Sequence, residues 1–317
     1  MKLLFALSII SVTFISCAQN TRTIGFYNVE NLFDTIDGPN DDKDFLPNAE
    51  SEWNAEKYLT KIKHLNEVID SMGSPIILGM CEVENKAVVE DIFKGSASRK
   101  HYEIVHYESP DNRGIDVALA FDPTILTLNQ SGTLRFDLDN PEHPHTRDIL
   151  WAKFVISDDT IVALVNHWPS RRGGQVESEP NRIKAAAQAR TFIDSLMRVS
   201  PTTKIVFMGD LNDYPDNMAP KLIAEKLQPM ISKESGKFGG TYNYRGEWDV
   251  LDHIMISSNF QKGGSIKVVK KSGEILSPDF IVTEYKGDLV PKRNYAGSKY
   301  LDGYSDHLPV TIDVNLK

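Results

Sequence analysis

The chain has 317 residues, 41% of them hydrophobic, 25% charged and 9% aromatic, a composition with enough apolar material for a large core. Disorder, collagen and coiled coil are excluded as its main theme. The formal net charge of −9 repels polyanions in bulk and excludes tight nonspecific coating of nucleic acid, although a local basic cleft or a bound divalent cation stays compatible with it.

Lys2 precedes an apolar run over residues 3–15, too short to span a bilayer, so residues 1–18 read as an export signal. Two processing routes fit. Phe14-Ile15-Ser16-Cys17 resembles a lipobox, in which an acylated Cys17 anchors the protein to a membrane surface. Ser16-Cys17-Ala18 before Gln19 equally fits a small-x-small cleavage site. Either route places the protein outside the cytoplasm: periplasmic, on the outer membrane as a lipoprotein, or extracellular. Only Cys81 then remains, so no intramolecular disulfide is expected.

No repeat, low-complexity stretch or linker interrupts residues 19–317, which are expected to form one domain. In chain order, β-type runs fall at 24–29, 76–80, 102–106, 117–121, 161–165, 204–208, 254–257 and 310–314. Helical period appears twice. One stripe joins Tyr58, Leu59, Ile62, Leu65, Val68, Ile69 and Met72; the other joins Ile183, Ala186, Ala187, Arg190, Ile193 and Leu196. Polar stretches at 35–51, 131–148, 171–180 and 277–306 read as loops, where function concentrates. Many strands with few long helices predict an α/β sandwich of stacked sheets covered by helices.

Polar residues gather where the β-type runs begin or end: Asn28, Glu30 and Asn31; Glu82 and Glu84; Asn166 and His167; Asp210 and Asn212; Asp252 and His253; Ser305, Asp306 and His307. Carboxylates with carboxamides are hard oxygen ligands suited to Mg²⁺ or Mn²⁺, and the chain lacks the cysteines of a closed thiolate zinc site. Phosphoryl transfer needs positioning and charge neutralisation, which metal, imidazole and amide donors supply. Neither a Walker-type phosphate loop nor a Gly-x-Ser-x-Gly elbow is present. Glu84 reads as solvated or structural, Cys81 as a small buried hydrophobe and His253 as a packing residue.

Six motifs occur in order: Phe26-Tyr27-Asn28-Val29-Glu30-Asn31, Cys81-Glu82-Val83-Glu84, Asn166-His167-Trp168-Pro169-Ser170, Gly209-Asp210-Leu211-Asn212, Leu251-Asp252-His253-Ile254 and Ser305-Asp306-His307-Leu308-Pro309. Together they resemble the endonuclease/exonuclease/phosphatase superfamily, from about Thr23 to the C-terminus. The resemblance implies a deoxyribonuclease-I-like, four-layer α/β sandwich of two largely antiparallel sheets flanked by helices, and divalent-metal-dependent phosphoester hydrolysis at one rim. It implies Glu82 as the principal metal carboxylate, with Asn28 and Asp306 completing the site. Asp210 and Asn212 correspond to the pair that orients water and holds a phosphate oxygen. His307 corresponds to the catalytic histidine, Asp252 to the carboxylate that holds it, and His167 to a phosphate-contacting histidine whose acidic partner is expected to be Asp116.

Arg171, Trp168, Asn166 and Arg147 are expected on the substrate side, with Trp168 offering a ring for stacking. Nucleic acid is the expected substrate and no protein partner is implied. The alternative enzyme acts on a lipid, sugar or other small phosphorylated molecule. A catalytically dead binding module on the same fold is disfavoured by the full complement of acidic, amide and histidine positions.

Overall fold

A computed structural model describes residues 20–139 and 144–317. The expected export signal, with Cys17, lies outside the described residues. Among those residues no helix is long and apolar enough to cross a membrane.

Two large sheets stack face to face. The strands of the first are β1 (Asn20–Leu32), β2 (Ile77–Val83), β3 (Glu103–His106) and β4 (Asp116–Phe121). In the second are β5 (Thr127–Leu134), β6 (Ile149–Ile156), β7 (Asp159–His167), β8 (Lys204–Asp210), β9 (Gln228–Pro229) and β12 (Asp252–Ile256), the last following the hairpin of β10 (Tyr242–Tyr244) and β11 (Glu247–Asp249). The first sheet is completed by β13 (Ile266–Val268), β14 (Glu274–Ile275) and β19 (Val310–Leu316). Its order is β13-β19-β1-β2-β4-β3, with β14 also on β19, and the second sheet runs β5-β6-β7-β8-β12-β9. Two small hairpins, β15 (Val282–Tyr285) with β16 (Asp288–Pro291) and β17 (Tyr295–Ala296) with β18 (Lys299–Tyr300), occupy the stretch expected to be a loop.

Helices α1 (Ala55–Ser71), α2 (Lys86–Lys94), α3 (Gln175–Val199) and α4 (Met218–Ala224) complete the sandwich. Central strands are thus covered on both faces. This explains why β7 and β8 read as nearly unbroken apolar runs instead of alternating ones. One core cluster joins Phe26, Met80 and Ala118 of the first sheet to Val165, Met208 and Ile254 of the second. A second cluster packs Ala185, Ala189 and Ile193 of α3 against Leu164 and Phe207. The sheets approach closely: a Cβ on Gly79 would stand 2.7 Å from Met208 Sδ.

Three expectations need correction. Leu59 is 64% exposed; the inward face of α1 carries Lys61, His64, Leu65, Val68 and Ile69. Helix α3 starts at Gln175, with Pro180 inside its second turn, so most of the expected 171–180 loop is helical. Strands β5 and β6 have no counterpart in the sequence reading. The edge strand β5 is polar and is held by its backbone pairing to β6.

Candidate active site

The functional side chains converge because strand register places them side by side. On the second sheet His167 pairs with Asp210 across β7 and β8, and Asp210 pairs with Asp252 across β8 and β12. Parallel pairing of β7 with β8 is tight: a Cβ on Gly209 would meet the Asn166 carbonyl at 2.3 Å, so glycine lets the strands approach just before Asp210. On the first sheet Asn28 pairs with Cys81, and β1 and β2 are irregular beyond those positions. There Glu30, Asn31 and Glu82 adopt positive φ of 52°, 51° and 63°. These left-handed residues turn the strand ends, and the Asn31 amide donates to Glu82 Oε2 at 3.0 Å.

Asp210 Oδ2 lies at the centre. Asn28 Nδ2 donates to it at 3.1 Å, while His167 Nε2 and His307 Nε2 each stand 3.8 Å away, beyond direct hydrogen-bond range. That spacing leaves the imidazoles available to a water or a phosphate oxygen. Its other oxygen accepts the Asn212 amide at 2.8 Å. Burial pushes the Asp210 carboxyl up to about 7; nearby His307 opposes this and Asp252 adds to it.

His307 Nδ1 pairs with Asp252 Oδ2 at 2.7 Å. Burial alone would lower the proton affinity of this imidazole, but the Asp252 and Asp210 carboxylates outweigh it and hold His307 well above its ordinary value. His167 is the opposite case. Burial, reinforced by Arg147, Arg113 and His307, keeps it well below the usual imidazole range. Its Nδ1 is buried without a protein partner, and Nε2 faces both Glu82 Oε1, at 3.9 Å, and Asp210 Oδ2. Burial therefore favours the neutral ring.

Glu82 and Asp306 line the same cleft, of about 590 Å³, with His167, Asp210, Asn212 and His307. The Asn28 amide sits against Asp210, and the backbone carbonyl of Asn28 accepts from Ser305 Oγ at 2.6 Å. The segment carrying Asp306 and His307 is thereby tied to β1. The Glu82 and Asp306 carboxylates on the cleft wall are hard oxygen donors of the kind a divalent cation such as Mg²⁺ takes; the Asn28 side-chain oxygen already accepts the Glu30 amide at 3.0 Å, and the Cys81 sulfur lies near His167 and Asp210.

Arg171 and Arg147 both line the cleft. The Arg171 guanidinium stacks 4.5 Å above the Tyr214 ring and donates to its hydroxyl. Arg147 bonds Asp111 Oδ2 at 3.0 Å and the Trp168 carbonyl at 2.9 Å. Trp168 and Asn166 are different. The Trp168 ring is 0% exposed, packs edge-on to Phe207 and donates to Asn166 Oδ1 at 3.2 Å, so it offers no face to a ligand. Asn166 is equally buried and spends its amide donor on the Met208 carbonyl at 3.1 Å. Their contribution is to position others: the Trp168 carbonyl accepts from both Arg147 and Asn212 Nδ2. Asp116 does not partner His167, because His106 Nε2, at 3.1 Å, and the Ser109 amide, at 2.9 Å, take its two oxygens.

Several residues at the site escaped the sequence reading. Arg113 lines the cleft and bonds Asn31 Oδ1 at 2.6 Å. Arg293 bridges Asp306 Oδ2, at 3.1 Å, and Glu30 Oε1, at 3.4 Å. Burial and then Asp306 push Glu30 up to about 7. Lys61, wholly buried on α1, donates to the Tyr304 carbonyl behind these acids; burial brings it down to about 8, against the pull of Glu30, Asp306 and Glu82. A lysine on the apolar stripe of an amphipathic helix was the available signal for it.

A two-sheet α/β sandwich with an acid–imidazole centre at the strand ends defines the class: a phosphoester hydrolase fold with a hard-metal donor set. The model of the endonuclease/exonuclease/phosphatase family matches residues 23–316, and the chain belongs to that family. Solved structures share the fold at low identity. An endonuclease/exonuclease/phosphatase family protein from Bacteroides thetaiotaomicron is 14% identical, with a TM-score of 0.60 over 94% of this chain and 96% of that one. A mannosyl-6-phosphatase from the same organism is 15% identical, with a TM-score of 0.59 over 92% of this chain and 99% of its own. The human nocturnin catalytic domain, solved with a bound sulfate anion, is 16% identical, with a TM-score of 0.57 over 94% and 96%. No curated protein sequence matches the chain significantly.

Proposed function

We propose that this protein is a divalent-metal-dependent phosphodiesterase that cleaves nucleic acid, DNA or RNA, outside the cytoplasm. The observation that carries this reading is the cleft lining. Arg113, Arg147 and Arg171, with Tyr214, Tyr242 and Tyr244, surround the acid–imidazole centre in an open groove. A phosphomonoester needs one anion site, whereas a polymer offers phosphates and bases on either side of the scissile bond, which further guanidiniums and rings can engage.

A Mg²⁺ or Mn²⁺ held by Glu82 and Asp306, with the Asn28 carboxamide beside it directly or through water, would supply charge neutralisation at the phosphate. Asp210, pushed up to about 7 and oriented by Asn28 and Asn212, is matched to take a proton from the attacking water near neutrality. His307, held as an imidazolium by Asp252, donates from Nε2 to a phosphate oxygen, and the neutral His167 hydrogen-bonds beside it.

The second reading is hydrolysis of a small sugar phosphate, which the similarity to a mannosyl-6-phosphatase favours. A substrate panel separates the two: DNA, RNA, bis(4-nitrophenyl) phosphate, a phosphomonoester and phospholipid vesicles, each with Mg²⁺, Mn²⁺ or chelator. Metal-dependent cleavage of polymer and diester is expected. Turnover of the monoester or lipid with no nuclease activity would overturn the nuclease reading.

A further inference from the structure

Residues 301–309, which carry both Asp306 and His307, lie outside every helix and strand, although His307 makes an isolated bridge with Tyr242. Backbone outside a ladder must find its hydrogen-bond partners elsewhere, and an acid and an imidazole mounted on it are only as well placed as those partners hold it. Helix α1 supplies them. Lys61, His64 and Glu67, three positions apart, fall on the stripe of the helix that meets this segment. Lys61 Nζ donates to the Tyr304 carbonyl, and His64 Nδ1 lies 2.8 Å from the Gly303 carbonyl. A carbonyl can only accept, so this ring nitrogen carries a proton. The Tyr304 ring stacks on His64 at 4.3 Å, and its hydroxyl donates to Glu67 Oε2 at 2.9 Å.

Lys61 is the residue that packing alone does not explain. It is 0% exposed on the inward face of an amphipathic helix, where burying an ammonium is costly and an aliphatic side chain would pack without that cost. What an aliphatic residue lacks is the donor to Tyr304, two positions before Asp306, and a positive charge within electrostatic reach of Glu30, Asp306 and Glu82. From Tyr304 the links run on to the site. Ser305 Oγ donates to the Asn28 carbonyl at 2.6 Å and accepts the His307 amide at 3.1 Å. The segment is thus held by α1 on one side and by β1 on the other. Releasing the α1 side lets Asp306 and His307 move, and a displacement of about 1 Å at such groups can cost about 10²-fold in rate.

We infer that Lys61 and His64 are positioning residues, which clamp the carbonyls of Tyr304 and Gly303 so that Asp306 and His307 stand at the cleft opposite Glu82 and Asp210. Neither side chain lines the cleft, so both act through the segment they hold. The inference rests on the phosphoester-hydrolase reading of that cleft.

The test compares two substitutions at one position. His64→Asn keeps an amide donor near the place of Nδ1, whereas His64→Phe keeps only a ring to stack on Tyr304. Lys61→Met removes the other donor and its charge. On bis(4-nitrophenyl) phosphate at saturating Mn²⁺, His64→Phe should lower kcat by about tenfold and Lys61→Met by about 10²-fold, with KM changed less than about twofold. His64→Asn should stay within about threefold of the wild type. Amide hydrogen exchange over residues 303–308 should quicken in His64→Phe and Lys61→Met and not in His64→Asn. A merely structural role would lower thermal stability without separating kcat from KM or Asn from Phe. Should Lys61→Met not fold, the His64 pair decides alone. Undiminished kcat in His64→Phe, or a His64→Asn variant as slow as His64→Phe, would overturn the inference. If the wild type turns over no phosphoester, the reading of the cleft falls, and exchange unchanged by either substitution would then overturn the clamp as well.

Discussion

His307 and Asp252 are joined by a 2.7 Å hydrogen bond between Nδ1 and Oδ2, with both side chains buried, although 55 positions separate them in the chain. The carboxylate sets the tautomer and raises the proton affinity of the ring, so the two act as one unit. His307→Ala and Asp252→Asn are each expected to reduce kcat/KM by about 10²–10⁴-fold, and the double variant by little more than the worse single one. Losses that multiply in a double-mutant cycle on bis(4-nitrophenyl) phosphate would show two independent residues instead.

Asp210 supplies the pH dependence. As the base it must be ionised, so kcat/KM should rise with pH as Asp210 loses its proton, at about 7 in the metal-free site and lower with a divalent cation bound beside it, and Asp210→Asn should remove both that limb and most of the rate. Stability runs the other way. Raised from 3.8 to about 7, this carboxyl binds its proton more tightly in the folded state. Its contribution is full below 3.8 and is lost as pH climbs to about 7. In chelator, the Tm of the wild type should therefore fall relative to Asp210→Asn across that window. A constant difference between the two would remove the assignment.

Activity should vanish in chelator and return with Mg²⁺ or Mn²⁺. Glu82→Gln keeps the size of the side chain but loses its charge, and Asp306→Asn does the same at the other carboxylate. Each should raise the metal concentration for half-maximal activity by about tenfold or more, with Glu82 the more severe. Undiminished turnover in chelator would remove the metal from the chemistry.

Arg171 sits over the Tyr214 ring within the cleft and shares no hydrogen bond with the Asp210–His307 centre. Arg171→Ala should lower cleavage of polymer by about tenfold, with the salt slope of binding reduced by about one, and spare a small chromogenic diester. Equal loss on both substrates would favour the sugar-phosphate reading.

The N-terminal segment calls for a separate measurement. Mass spectrometry of the protein purified from its source should show either an acylated Cys17 or a free terminus at Gln19. An intact Met1 would exclude both routes and the extracytoplasmic location with them.

How far the site is legible depends on what each residue requires. Asn28, Glu82, His167, Asp210, Asp252 and His307 stand at or beside the ends of strands that announce themselves as apolar runs, and the second-sheet register then places His167, Asp210 and Asp252 next to one another. Arg293 gives no such signal. It reaches Glu30 across 263 positions, from a stretch whose short hairpins carry no apolar pattern. Trp168 misled the reading for a related reason: residue type suggests a stacking ring, but its face was decided by Phe207 and the α3 side of the sheet.

The sequence by itself determined eight apolar strand runs, though not β5 and β6, the amphipathic face of α1 in outline, the single cysteine, Cys81, of residues 19–317 and the chemical types available at the strand ends, because these follow from local periodicity and side-chain chemistry. Tertiary structure alone decided which donor meets which acceptor. Asp116 is claimed by His106 from the adjoining strand and not by His167, while Lys61 is drawn beneath Glu30 and Asp306 despite its charge. Those choices depend on burial and on neighbours distant in sequence, since a desolvated charge or polar atom must find its partner wherever packing brings one within reach.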